Sequence, residues 1–94
     1  MLPLATMPGG RIKSNHQKSY AVLLGHLRSA RIDSNITQVQ LAKALGVDQS
    51  HISKIERGER RLDIVELREF CRALGISLGD FIKEFERLLD RSGV

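Results

Sequence analysis

Thr37–Gly58 reads TQVQLAKALGVDQSHISKIERG, and its punctuation decides the fold. Thr37 and Gln40 stand in the T-x-x-Q spacing of a capping box. There the hydroxyl accepts from the Gln40 amide, and the Gln side chain reaches back to the first residue. Val39, Leu41, Ala42 and Leu45 then form a narrow apolar stripe at helical spacing. Gly46 follows at once, and glycine turns through positive φ without a steric penalty. Asp48 is placed to cap a second helix. In that helix Ile52 and Ile55 face inward, and Gly58 closes the segment. Two short amphipathic helices joined by a turn of about four residues make a helix-turn-helix.

Burying Ile52 and Ile55 leaves Gln49, Ser50, Ser53, Lys54 and Arg57 on or beside the outer face of the second helix. All are polar and none is acidic; Glu56 lies off that face. The face begins at a helix N-terminus, where free amides and the helix dipole attract phosphate. Gln and Lys can hydrogen-bond base edges in a major groove wide enough to admit a helix. A helix that merely met water would ordinarily mix Glu and Asp into such a face. Contact with duplex DNA is the expectation.

The pattern TQ-x-x-LA-x-x-LGV-x-QS-x-IS-x-IERG resembles the XRE family of lambda-repressor-like helix-turn-helix proteins. The likeness runs from about Tyr20 to Phe85 and is densest from Arg31 to Gly58. It implies a compact all-α, five-helix lambda-repressor-like domain that binds double-stranded DNA in a sequence-specific way. It implies that Gln38 binds phosphate and braces Gln49, and that Gln49, Ser50 and Lys54 contact bases. It also implies a structural pair between Arg31, late in helix 1, and Glu56. Thr37 and Ser53 join Gln38 as expected phosphate contacts. The family usually carries Gly in the turn where this chain has Asn35, the next-best residue for a left-handed conformation.

Ninety-four residues make one small domain. At 41% hydrophobic but 4% aromatic, its core should be aliphatic and modest. No run approaches a membrane span, and MLPLATMPGGR lacks the basic start and apolar length of a signal peptide. A single Cys makes no internal disulfide and fits a reducing compartment. A cytoplasmic, nucleoid-associated protein is expected. The net charge of +4 favours a polyanionic partner. Its distribution is uneven. Arg11, Lys13, Lys18, Arg28 and Arg31 precede any acid, whereas residues 32–94 balance ten basic against eleven acidic side chains.

Residues 1–15 read as a flexible N-terminal arm: Pro3, Pro8 and Gly9–Gly10 interrupt it, and no periodicity is sustained. Arg11 and Lys13 are either a basic arm laid along the DNA backbone or part of a frayed terminus. Residues 16–94 read as the DNA-binding domain. Helix 1 should start near His16–Ser19 and end at Asp33, with Tyr20, Leu23, Leu24, Leu27 and Ala30 on one face and His26 on the outer side. Gly25 weakens it. The link Glu59–Leu62 follows the recognition helix, and Arg57, Arg60 and Arg61 are candidate phosphate contacts beside it. Two readings stand for His51: a contact to phosphate or base, or a solvated side chain. Asp63 and Glu66 are spaced as a capping box for a fourth helix with Ile64, Leu67, Cys71 and Leu74 inward. Ser77 should cap a fifth. The stripe Leu78, Phe81, Ile82, Phe85, Leu88 and Leu89 on that helix exceeds what helices 1 and 4 can cover. Phe81, Ile82, Phe85, Leu88 and Leu89 are therefore the expected homodimer interface.

Catalytic and metal-binding signatures are missing from the sequence. Cys71 stands alone, His16, His26 and His51 have no ligand spacing, and there is no phosphate-binding loop or nucleophile–base pattern. No cofactor and no enzymatic activity are expected. The favoured reading is a homodimeric transcriptional regulator, in its simplest form a repressor, on a two-fold symmetric operator, with a regulatory partner protein as a further candidate. The alternatives are a restriction–modification controller protein and the antitoxin of a toxin–antitoxin pair. The antitoxin ranks lower, because such proteins typically add a toxin-wrapping tail and nothing follows Val94.

Overall fold

The computed structural model describes residues 11–93, with side chains from His16 onward. Five α-helices and no strand occupy the described residues: α1 Arg11–Asp33, α2 Gln38–Leu45, α3 Gln49–Glu56, α4 Ile64–Leu74 and α5 Leu78–Ser92. α2 and α3 pack on each other. α3 and α5 lie against α1, and α4 joins α2 to α5.

The helix boundaries follow side-chain chemistry. The Thr37 hydroxyl accepts from the Gln40 amide at 3.1 Å, and the Gln40 side chain returns to the Thr37 amide at 2.9 Å. Asp63 and Glu66 repeat the arrangement at α4, and Ser77 caps α5 through the Asp80 amide. Gly46 ends α2 at φ 71°, and its amide reaches back to Ala42 and Lys43. Asn35 takes a left-handed φ of 59° between α1 and α2, where its short polar side chain keeps the cost low. Asp48 occupies the cap position of α3 without capping through its side chain. Its backbone oxygen instead accepts from the His51 amide at 3.0 Å.

The buried cluster joins Leu24 and Leu27 of α1 to Leu41 and Ala42 of α2, and to Ile52 and Ile55 of α3. Leu67, Phe70, Cys71 and Leu74 of α4 and Phe81 of α5 complete it. Ile52 and Ile55 are wholly inaccessible, and burying each contributes roughly 1.5–3 kcal/mol. Burial also pushes the Cys71 thiol above its ordinary value, as expected of an inert core cysteine.

Several expectations need correction. α1 begins at Arg11 and not near His16–Ser19. No Gly or Pro stands between Arg11 and Tyr20, and once a helix is nucleated each further residue adds a bond at low cost. Residues 11–15 therefore belong to α1, and the remainder of the expected arm lies outside the described residues. Val39, on the apolar stripe expected of α2, and Ile64, expected inward on α4, are 62% and 59% exposed. Both lie in the first turns of their helices, at a helix end, where fewer neighbouring turns are available to cover a side chain. His26 faces inward: its ring stacks on Phe81 at 4.0 Å between centroids, and its Nε2 lies 3.0 Å from the Phe81 carbonyl oxygen. That packing removes Phe81, 2% exposed, from the proposed dimer surface.

Candidate nucleic-acid interface

The outer face of α3 rests on a polar relay that starts in the interior. Arg31, on the last turn of α1, is 8% exposed. Its Nε donates to Glu56 Oε2 at 2.6 Å and its Nη2 to Oε1 at 3.1 Å, while Nη1 reaches the Ile36 carbonyl at 2.9 Å. This side-on pair, with a third bond to the α1–α2 link, gives each nitrogen of the guanidinium a partner within the protein. Glu56 Oε1 also accepts from Gln38 Nε2 at 2.9 Å, and Gln38 Oε1 accepts from Gln49 Nε2 at 2.8 Å. Burial pushes the Glu56 carboxyl up. The bonds from Arg31 and Gln38 and the Arg31 charge outweigh it and hold the group below the usual carboxylate range.

The relay ends at the first residue of α3. Gln49, Ser50 and Lys54 are exposed beyond it. The neighbours assigned to phosphate are engaged to different degrees. The Thr37 hydroxyl accepts in its cap and keeps its own proton to donate. Ser53 is half-buried and accepts from Arg57 Nη1. Arg57 also forms a side-on pair with Glu59, at 2.7 Å from Nε and 3.3 Å from Nη2. The hydrogen bonds between them, and then their opposite charges, favour both ionised forms: Glu59 is lowered and Arg57 raised. His51 is half-buried, with Nε2 3.8 Å from Glu66 Oε2 of α4. Arg60 shares a polar hollow with Asp48, Ser50, His51 and Lys54. Arg61 turns to the other side, toward α1. Its Nη1 lies 3.4 Å from His16 Nε2, and its guanidinium carbon lies 5.8 Å from the centre of the Tyr20 ring. So Gln38 and Gln49 meet at the start of α3, Ser50, Lys54 and Arg60 share the hollow along its exposed side, and Arg57 and Arg61 have partners of their own.

A helix-turn-helix family model matches residues 27–81, which contain the whole relay. The chain belongs to the XRE-type helix-turn-helix family. An XRE-family-like protein from Pseudomonas syringae pv. tomato str. DC3000 is 39% identical. Their alignment covers 85% of this chain and 98% of that one, with a TM-score of 0.80. The clp gene regulator ClgR from C. glutamicum is 34% identical over 72% of this chain and 87% of its own, with a TM-score of 0.64. Control protein C.MunI from a Mycoplasma species is 30% identical over 64 residues, 68% of this chain and 84% of that protein. This XRE-type chain is a DNA-binding transcriptional regulator.

Two functional details escape a linear reading. Tyr20 accepts from the Leu62 amide through its hydroxyl at 3.0 Å, tying α1 to the link after α3. The only sequence signal is an aromatic at the end of the α1 stripe, and no spacing rule joins residues 42 apart. Glu59, the acid that occupies Arg57, lies in the link after α3, where no helical spacing marks it. Among the described residues no group of three or more His, Cys, Asp or Glu is arranged to hold a metal. No described helix is long and apolar enough to cross a membrane.

Proposed function

We propose that the protein binds a two-fold symmetric operator as a homodimer and represses transcription by occluding a promoter. It works through binding alone, without catalysis, and α3 enters the major groove. Gln49, Ser50 and Lys54 read bases, and Thr37, Gln38, His51, Ser53, Arg57, Arg60 and Arg61 meet phosphates. The observation that carries this reading is the relay from Arg31 through Glu56 and Gln38 to Gln49. It holds the first side chain of α3 in one orientation before any ligand arrives, which lowers the ordering cost of binding. Base contacts then supply sequence choice, and phosphate contacts supply salt-dependent affinity.

The second copy would dock on α5. Phe85, Leu88 and Leu89 are half-buried and lie outside the core cluster, with Ile82 beside them packed against it. A matching stripe from another protomer would cover them.

Selection of bound duplexes from a random pool tests the reading. The expected product is an inverted repeat with half-sites about 34 Å, or one helical turn, apart. A pool that stays unselected at low ionic strength would refute it. A restriction–modification controller is a second form of the same function, favoured by the likeness to the restriction–modification controller protein C.Esp1396I, 25% identical over 78% of this chain with a TM-score of 0.72. An operator upstream of an adjacent restriction gene would establish that form.

A further inference from the structure

We infer that Tyr20 is a positioning residue for DNA binding: it latches the link after the recognition helix so that Arg61 stands ready at the backbone. The inference rests on the duplex-binding reading above and concerns a residue of α1 outside the helix-turn-helix.

Three contacts converge on this side chain. Its hydroxyl oxygen accepts from the Leu62 amide at 3.0 Å. Its ring lies 5.8 Å from the Arg61 guanidinium carbon, within reach of a cation–π contact. Its other neighbour, His16, stacks nearly parallel on it with 9° between the planes, and brings Nε2 to 3.4 Å from Arg61 Nη1. Leu62 itself packs against the core cluster. The link is therefore pinned at one residue by an apolar side chain facing in and a backbone donor held from α1. Arg60 and Arg61, immediately before that pin, are exposed.

The chemistry favours positioning over burial. A guanidinium has five N–H donors, and one directed at His16 leaves four for phosphate oxygens. The ring face takes up none of them. A cation laid on an aromatic face keeps its plane fixed while its donors stay open, so less rotamer freedom is lost when the duplex arrives. The hydroxyl fixes the backbone that carries the side chain. Both effects act on the phosphate contact and neither reads a base. Losing Tyr20 should thus weaken all duplexes alike.

The test compares the full chain with Tyr20→Phe, Arg61→Ala and the double variant on the selected operator and a scrambled duplex, across a salt series. Tyr20→Phe keeps the ring and removes only the hydroxyl, and with it the acceptor for the Leu62 amide. It should bind both duplexes about two- to tenfold more weakly, the range for ordering one long side chain. Its salt slope should be shallower and its base preference unchanged. The double variant should bind no more weakly than Arg61→Ala. Exchange of the Leu62 amide, slow in the parent, should become fast in Tyr20→Phe. The inference is overturned if Tyr20→Phe matches the parent in affinity and slope, if its loss adds in full to that of Arg61→Ala, or if the parent's Leu62 amide already exchanges freely. A parent that ignores every duplex at low salt defeats the duplex-binding reading instead.

Discussion

The shoulder of α3 and the outer stripe of α5 are held in opposite ways. At α3, the buried ion pair Arg31–Glu56 supports an exposed polar face, and each polar group between them has a partner. At α5, Phe81 anchors the first turn in the core, while Phe85, Leu88 and Leu89 farther along stay half-covered by their own chain. One surface is finished within the protomer and offers hydrogen-bonding groups. The other is unfinished and offers apolar area. Orientation for reading bases demands the first, because a side chain that wanders cannot discriminate. Association of two like surfaces needs only the second, because apolar attraction has no direction.

The contrast breaks most severely at Arg31. Arg31→Ala leaves Glu56 in place without its main partner, and urea unfolding should show a loss of about 3–5 kcal/mol. The same pair sets an acid response. Glu56 titrates below its ordinary value in the folded protein. Its stabilisation is therefore complete above the unfolded value and disappears as pH falls through the lower, folded one. Unfolding midpoints measured on the acid side should fall in the parent and change less in Glu56→Gln. An identical acid profile in the two would show that the pair contributes nothing there.

On the exposed end of the relay the stakes move from folding to recognition. Lys54→Ala or Gln49→Ala should leave the fold intact and cost roughly 1–3 kcal/mol on the preferred duplex, with relaxed choice at one position. Competition titrations against single-base variants measure this, and a loss shared equally by all sequences would move that residue to the phosphate set. The α1–α5 side should prove more permissive. A Cβ added at Gly25 meets no heavy atom within 4 Å, so Gly25→Ala should raise stability by about 0.5–1 kcal/mol. Thermal unfolding checks the sign. Phe85→Glu places a carboxylate at a half-buried position, and its cost to the protomer's fold should be about 1 kcal/mol. Yet sedimentation should show dimers becoming monomers. A parent that already sediments as a monomer would leave the α5 stripe without the assigned partner.

Legibility in the sequence follows the range of the forces involved. Caps, glycine turns and the 3.6-residue period act within a few residues, and Thr37, Gly46, Asp63 and Ser77 could be read directly. The start of α1 could not, because a stretch without breakers carries no mark of where the helix stops propagating. Val39 and Ile64 share the period of their helices but sit in end turns. Whether such a position is covered depends on where the neighbouring helix stops. Family resemblance supplied the pairing of Arg31 with Glu56 and of Gln38 with Gln49. Periodicity offers no route to contacts 25 and 11 residues apart.

The chain's own order of residues determined that two short capped helices would form, and that the second would turn a polar, acid-free side outward. Those outcomes rest on hydrogen bonds and steric limits between near neighbours. Tertiary packing alone decided that Phe81 and His26 stack inside, that Arg57 meets Glu59, and that Tyr20 holds Leu62 across 42 residues. Such contacts are set by the relative placement of whole helices, which depends on the shapes filling the core between them.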